Sequence, residues 1–130
     1  MLYLDSSAIV KLVTPEPETP ALVEMLRSDP ETVSSALARV EVLRAVRRAS
    51  AGGERVRRAE AVLDRIALVS IDEGILHRAA NLGPPTLRTL DSIHLATALL
   101  LESDVAGVIT YDDRLAEAAS RAGLGVFAPA

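Results

Sequence analysis

Short aliphatic runs without polar alternation recur along this chain, separated by longer stretches of helical periodicity, and this pattern leaves few folds open. A strand that is apolar throughout must be covered on both faces, which a parallel sheet achieves by laying its crossover helices above and below. The expectation is an α/β fold: a mainly parallel central sheet of four to five strands flanked by helices on both faces. No linker, repeat or low-complexity tract interrupts the alternation, so residues 1–130 are read as a single domain.

The strand candidates are Leu2 to Leu4, Thr32 to Ser34, Ile66 to Ile71, Val105 to Ile109 and Val126-Phe127. Between them, Asp5-Ser6-Ser7 opens a helix to about Val13, and after Pro15, Pro17 and Pro20 a second covers roughly 18–28 before Asp29-Pro30. Ser35 can cap a helix carrying Leu37, Val40, Leu43 and Val46, broken at Gly52-Gly53, with another helix following to about Arg65. Asp72 caps a helix that ends near Gly83-Pro84-Pro85. The helix starting around Thr89 to Asp91 is apolar around most of its circumference and is expected to be buried. A last helix runs from Asp113 to Ala122 and stops at Gly123.

In open parallel sheets, ligands bind beyond the carboxyl ends of the strands. Asp5 and Asp112 each follow a predicted strand and should project at that edge. Asp5, Asp91 and Asp112 have an ordinary alternative role, since Asp is a favoured N-cap and its charge suits a helix N-terminus. For Glu41 the ordinary alternative is a surface ion pair with Arg44. If the acids converge, their repulsion calls for a cation or shared protons. With no cysteine in the chain, the ligands would be oxygen or nitrogen, and oxygen suits a hard ion such as Mg²⁺, with Mn²⁺ a possible substitute. Such an ion activates water and offsets charge on a phosphodiester, so only carboxylates are needed beside it.

The net charge of −4 speaks against a nucleic-acid partner, but its distribution weakens that objection. Eight of the thirteen arginines fall between Arg39 and Arg65, and neutralising four acids in a metal site would leave the remaining surface near zero. Arg44 and Arg48 are candidate contacts for a nucleic-acid backbone, and Arg88, just before Asp91, for a substrate phosphate. With two tyrosines, one phenylalanine and no tryptophan, base stacking cannot be a major recognition device. The opening lacks the pattern of a secretory signal and no apolar run approaches a membrane span, so the expectation is a cytoplasmic protein without membrane contact.

Four segments carry a resemblance. Tyr3 to Leu12 (YLDSSAIVKL), Ser34 to Val42 (SSALARVEV), Leu90 to Ala98 (LDSIHLATA) and Ile109 to Leu115 (ITYDDRL) resemble, in order and nearly end to end, the motifs of PIN-domain nucleases of the VapC toxin type. The resemblance implies a PIN-like fold and Mg²⁺-dependent endonucleolytic cleavage of RNA. It implies a catalytic set of Asp5, Glu41, Asp91 and Asp112, with Asp5, Asp91 and Asp112 holding metal. It further implies supporting roles for Ser6 and Thr110, a VapB-type antitoxin that blocks the site, and a homodimer. Asp113 rivals Asp112 as the ligand and is otherwise read as a helix cap or outer contributor.

Within so apolar a helix, His94 is expected to be a hydrogen-bonded core residue rather than a ligand or base, and His77 to be peripheral. Ser6 and Ser7 are expected to cap or to hydrogen-bond around the site, with no nearby base to make them nucleophiles. Three other functions compete: a PIN nuclease of RNA processing, a binding module that has lost catalysis, and a Mg²⁺-binding receiver domain. The last expects a lysine beyond a late strand, whereas the one lysine here is Lys11.

Overall fold

The computed structural model describes residues 1–49 and 52–130. Its elements run β1 (Leu2–Leu4), α1 (Ser6–Val13), α2 (Thr19–Ser28), β2 (Thr32–Ser35), α3 (Leu37–Ala49), α4 (Gly53–Asp64), β3 (Ala67–Val69), α5 (Glu73–Ala80), α6 (Thr89–Leu100), β4 (Gly107–Ile109), α7 (Asp113–Arg121) and β5 (Val126–Phe127). Ser50 and Ala51, just before the expected break at Gly52-Gly53, lie outside the described residues.

The five strands form one sheet in the order β3-β2-β1-β4-β5, with every neighbouring pair parallel. Side chains alternate across a strand, and here the two faces meet different helices. Leu2, Leu4 and Ile109 pack with residues of α1 to α4. Tyr3, Val33 and Val108 turn the other way, onto Ala98 of α6. α6 is buried from Asp91 to Leu99, as its apolar circumference predicts, with α5 and α7 packed beside it.

Two strands are shorter than expected because their neighbours decide where they begin. β4 starts at Gly107, opposite Leu2, while the Val105 N–H still bonds the Leu101 carbonyl and finishes the end of α6. β3 starts at Ala67, opposite Val33, because the Ile66 N–H closes the turn after α4 on the Leu63 carbonyl. α5 stops at Ala80, ahead of Gly83, where the Asn81 and Leu82 N–H groups bond the Arg78 and Ala79 carbonyls in a tightened last turn.

Gly107 is required by a close approach: a Cβ there would lie 2.5 Å from the Phe127 ring and 2.7 Å from the Gly125 carbonyl oxygen. Gly123, at φ 91, ends α7 in a backbone conformation that favours glycine, as its position in the sequence suggests.

The strand order positions the site. From β1 the chain moves outward to β2 and β3, then returns to place β4 on the opposite side of β1. The direction of winding therefore reverses between β1 and β4, the place where such sheets open a crevice at their carboxyl edge. Asp5 follows β1 and Thr110-Tyr111-Asp112 follows β4 at that point. Receiver domains are wound 2-1-3-4-5, so the observed order removes that alternative.

Candidate active site

Asp5 is the N-cap of α1, its Oδ1 accepting from the Ala8 N–H at 3.0 Å and from the Ser7 hydroxyl at 2.6 Å. The register pairing Leu4 with Ile109 sets Asp5 beside Thr110, whose hydroxyl donates to Oδ2 at 2.5 Å. The residue is only 4% exposed, and burial pushes its carboxyl above the usual range despite the opposing pull of Ser7, Thr110 and the Ala8 N–H. Among the described residues no ion pair reaches it, so three hydrogen-bond donors alone stand against the cost of burying its charge.

Thr110 continues the network: its oxygen accepts the Asp112 N–H at 3.0 Å. Asp112 caps α7 through Oδ1, which takes the Arg114 and Leu115 N–H groups at 2.9 and 3.1 Å, while Oδ2 pairs with Arg88 Nη2. Burial acts to raise the Asp112 carboxyl, but the Leu115 N–H, Arg88 and the Arg114 N–H together hold it below the ordinary range. The cap is thus Asp112. Asp113, read from sequence as a cap, is instead the first helical residue and is exposed.

Asp91 does not cap α6 as expected. Arg88 takes the N-cap position, and Asp91 lies inside the first turn, where a carboxylate suits the helix dipole. Its Oδ2 accepts from Arg88 Nε at 2.8 Å. Nε and Nη2 leave the same edge of a rigid guanidinium, so one cationic edge is shared between Asp91 and Asp112.

Glu41, on α3, is half-buried and makes no surface pair with Arg44. Its Oε1 instead takes the Ser6 hydroxyl at 2.6 Å and His94 Nε2 at 2.6 Å. Burial works against its ionised form, but His94 and Ser6 outweigh it and lower its pKa. His94 is the hydrogen-bonded core residue expected, 2% exposed, with Nδ1 2.7 Å from the Tyr3 hydroxyl.

Contacts therefore link three of the acids, and the fourth is held beside them. Asp5, Thr110, Asp112, Arg88 and Asp91 form a continuous chain of contacts, and Glu41 joins through Ser6, next to Asp5, and His94, one turn beyond Asp91. Among the described residues, however, no three acids or histidines stand ready as a metal cage. The donor chemistry nonetheless fits a hard cation. The facing side chains of the three aspartates offer only oxygen, Asp5 lacks a counter-charge, and Asp91 and Asp112 already converge on a cation, that of Arg88.

Arg48 borders a groove at the edge of the network, with Ser6, Ser7, Lys11, Glu41 and Tyr111, whereas Arg44 is exposed and does not line it. Lys11 is held by Glu16 and Glu18 at 2.6 and 3.1 Å and lies 4.7 Å from the Tyr111 ring centre. From sequence, Ser7 is expected to cap or to hydrogen-bond around the site. The structure makes it a bridge, donating to Asp5 and accepting the Tyr111 N–H at 2.9 Å. Its spacing two residues after Asp5 was the available signal.

Known proteins resemble this chain in family, in sequence and in fold. Residues 2–121 match the PIN domain family. The chain is 49% identical over 129 residues to Ribonuclease VapC46 of Mycobacterium tuberculosis, covering 98% of this chain and 97% of that protein. It is 42% identical over 133 residues to Ribonuclease VapC35 of the same organism, covering 99% and 97%. Among solved structures, a toxin-antitoxin complex from Klebsiella pneumoniae superposes with a TM-score of 0.75 at 20% identity, over 100% of this chain and 98% of that one. The sarcin-ricin loop cleaving toxin VapC20 of M. tuberculosis also gives 0.75, at 14% identity over 99% and 100%. At those identities the structural likeness bears on the fold alone.

Proposed function

The chain belongs to the PIN domain family, and from that premise we propose that it is a Mg²⁺-dependent endoribonuclease, the toxin of a type II toxin-antitoxin pair. The observation that carries this reading is the set of contacts linking Asp5, Asp91 and Asp112, with Glu41 held beside them, at the point where the winding of the sheet reverses. Relatives named ribonucleases, matched over almost their whole length, favour RNA as substrate. The VapC name carried by those relatives favours a VapB-type antitoxin as partner. The same reading includes a homodimer in the cytoplasm, with Mn²⁺ able to substitute. No described helix is long and apolar enough to cross a membrane.

Asp5, Asp91 and Asp112 would hold the ion, which when bound supplies an activated water and neutralises charge on the phosphate. Arg88, which bridges Asp91 and Asp112, would be displaced where an ion took the same carboxylate oxygens, and its guanidinium would then be available to a substrate phosphate. Thr110 and Ser7 keep Asp5 in place by donating to it, and Ser6 does the same for Glu41. Glu41 is the carboxylate left to accept a proton from the attacking water, and it enters the reaction ionised because His94 and Ser6 offset the cost of its burial. Arg48, on the rim of the groove, is the α3 arginine best placed for the RNA backbone.

The test is cleavage of RNA by the purified protein. Activity should require Mg²⁺ and disappear on chelation and in Asp5→Asn, whereas activity that survives chelation removes the metal mechanism. Expression in cells should halt growth, with relief from the product of the adjacent gene. Harmless expression of the active enzyme would instead favour a PIN nuclease of RNA processing.

A further inference from the structure

A buried imidazole is tolerated in an apolar helix only if both ring nitrogens find partners, and backbone carbonyls or water usually serve. His94 uses neither. Its closest partners are side chains from two other elements, Tyr3 of β1 and Glu41 of α3, contacted 91 and 53 residues away along the chain, with the Ser6 hydroxyl of α1 a longer 3.4 Å from Nε2. One of them is a proposed catalytic acid.

The proton positions follow from what each group can do. An ionised carboxylate only accepts, so a 2.6 Å contact between Glu41 Oε1 and Nε2 requires the proton to be on Nε2. In the neutral ring Nδ1 is then the acceptor, and the Tyr3 hydroxyl, which burial keeps protonated, donates to it at 2.7 Å. The Tyr3 and His94 rings meet edge to face with centroids 5.9 Å apart, which locks the imidazole plane. Oε1 of Glu41 also receives the Ser6 hydroxyl, and none of the described residues engages Oε2, on a side chain that lines the groove with Ser7, Lys11 and Arg48.

We propose that His94 is a positioning residue: its Nε2–H, fixed in that tautomer by the Tyr3 hydroxyl, holds Oε1 of Glu41 and leaves Oε2 to the groove. This deepens the ribonuclease reading and rests on it. It also explains why Glu41 is tied to α6. Asp91 and His94 sit one turn apart, so the helix that carries one acid fixes the orientation of another.

Two measurements test this. Nitrogen NMR of the imidazole in the folded wild-type protein should show a neutral ring protonated at Nε2, and Tyr3→Phe should lose that preference. A ring protonated at Nδ1 alone, or at both nitrogens, overturns the proposal. In RNA cleavage, His94→Ala should lower kcat by about ten- to hundredfold, as loss of an orienting hydrogen bond typically does, with KM unchanged within about twofold. His94→Gln, which can still offer an N–H to Glu41, should recover part of the loss, and Tyr3→Phe should lower kcat in the same direction. An unchanged kcat in folded His94→Ala, a loss confined to KM, or a glutamine variant no better than alanine overturns it. If His94→Ala does not fold, Tyr3→Phe decides by the same criteria. If wild type cleaves no RNA, the nuclease reading fails, and the ring spectrum alone supports or overturns the positioning geometry.

Discussion

Arg88→Ala separates what holds the acids together without metal from what the metal would do. The variant removes one guanidinium from two carboxylates whose side chains are 12% and 28% exposed, while Arg88 itself is 53% exposed. Solvent screening at that exposure limits each pair to about 0.5–1 kcal/mol, which sets the loss from the two pairs together. The expected cost in chelator is about 1–2 kcal/mol. With an unfolding entropy of about 2.1 cal/mol/K per residue over 130 residues, that cost lowers Tm by about 4–7 °C. With Mg²⁺ the sign reverses, because the variant has no ion pair to surrender before the aspartates receive the ion. Mg²⁺ should bind about 5- to 30-fold more tightly to the variant than to wild type, the same energy expressed as an affinity ratio. Melting curves in chelator and across a Mg²⁺ titration, with calorimetry for the affinity, read both effects. Unchanged stability in chelator together with equal or weaker Mg²⁺ binding would refute the view that Arg88 stands where the ion belongs.

Three further outcomes follow from individual contacts. Because the native Asp5 pKa is raised, its protonated form stabilises the fold at low pH, and that contribution is lost as pH rises from the ordinary carboxylate range through the raised value. Asp5→Asn in chelator should therefore be more stable than wild type near neutral pH and lack this decline, as urea unfolding from about pH 4 to about pH 8 would register; a wild type that gains stability over the variant across that interval contradicts it. Glu41→Gln keeps an acceptor for Ser6 and His94 but cannot take a proton, so it should fold normally and lose roughly hundredfold or more in kcat, with an unchanged rate excluding Glu41 from catalysis. Gly107→Ala drives a methyl into Phe127 and the Gly125 carbonyl, and thermal unfolding should show a loss of about 1–3 kcal/mol, where a neutral result would mean that β4 and β5 are not packed as described.

The parts of this architecture that rest on local chemistry were legible in the sequence. Asp5 caps α1 directly after an apolar strand, and Asp72 and Asp112 cap α5 and α7, each readable from the residues alongside. The two-sided burial of the sheet followed from strands that do not alternate. Other features depended on distant segments. Val105 falls outside β4 because β1 begins only at Leu2, a limit imposed by a partner strand more than a hundred residues earlier. Glu41 looked like half of a pair with Arg44, since sequence spacing exposes only neighbours on the same helix. Its actual partners come from α1 and α6, brought together by packing around the sheet edge. Arg88 was singled out for its place before Asp91, but its bond to Asp112, 24 residues on, needs the return of the chain through β4.

The claim on which the rest depends is that the acid network is a metal-dependent site for RNA hydrolysis. Its most direct test is to map the ends produced when purified protein is incubated with total RNA, comparing Mg²⁺, chelator, and Mg²⁺ with Asp91→Asn. The account predicts discrete new ends with Mg²⁺ and wild-type protein, and none in the other two conditions. The same ends in chelator, or from Asp91→Asn at the wild-type rate, would contradict it.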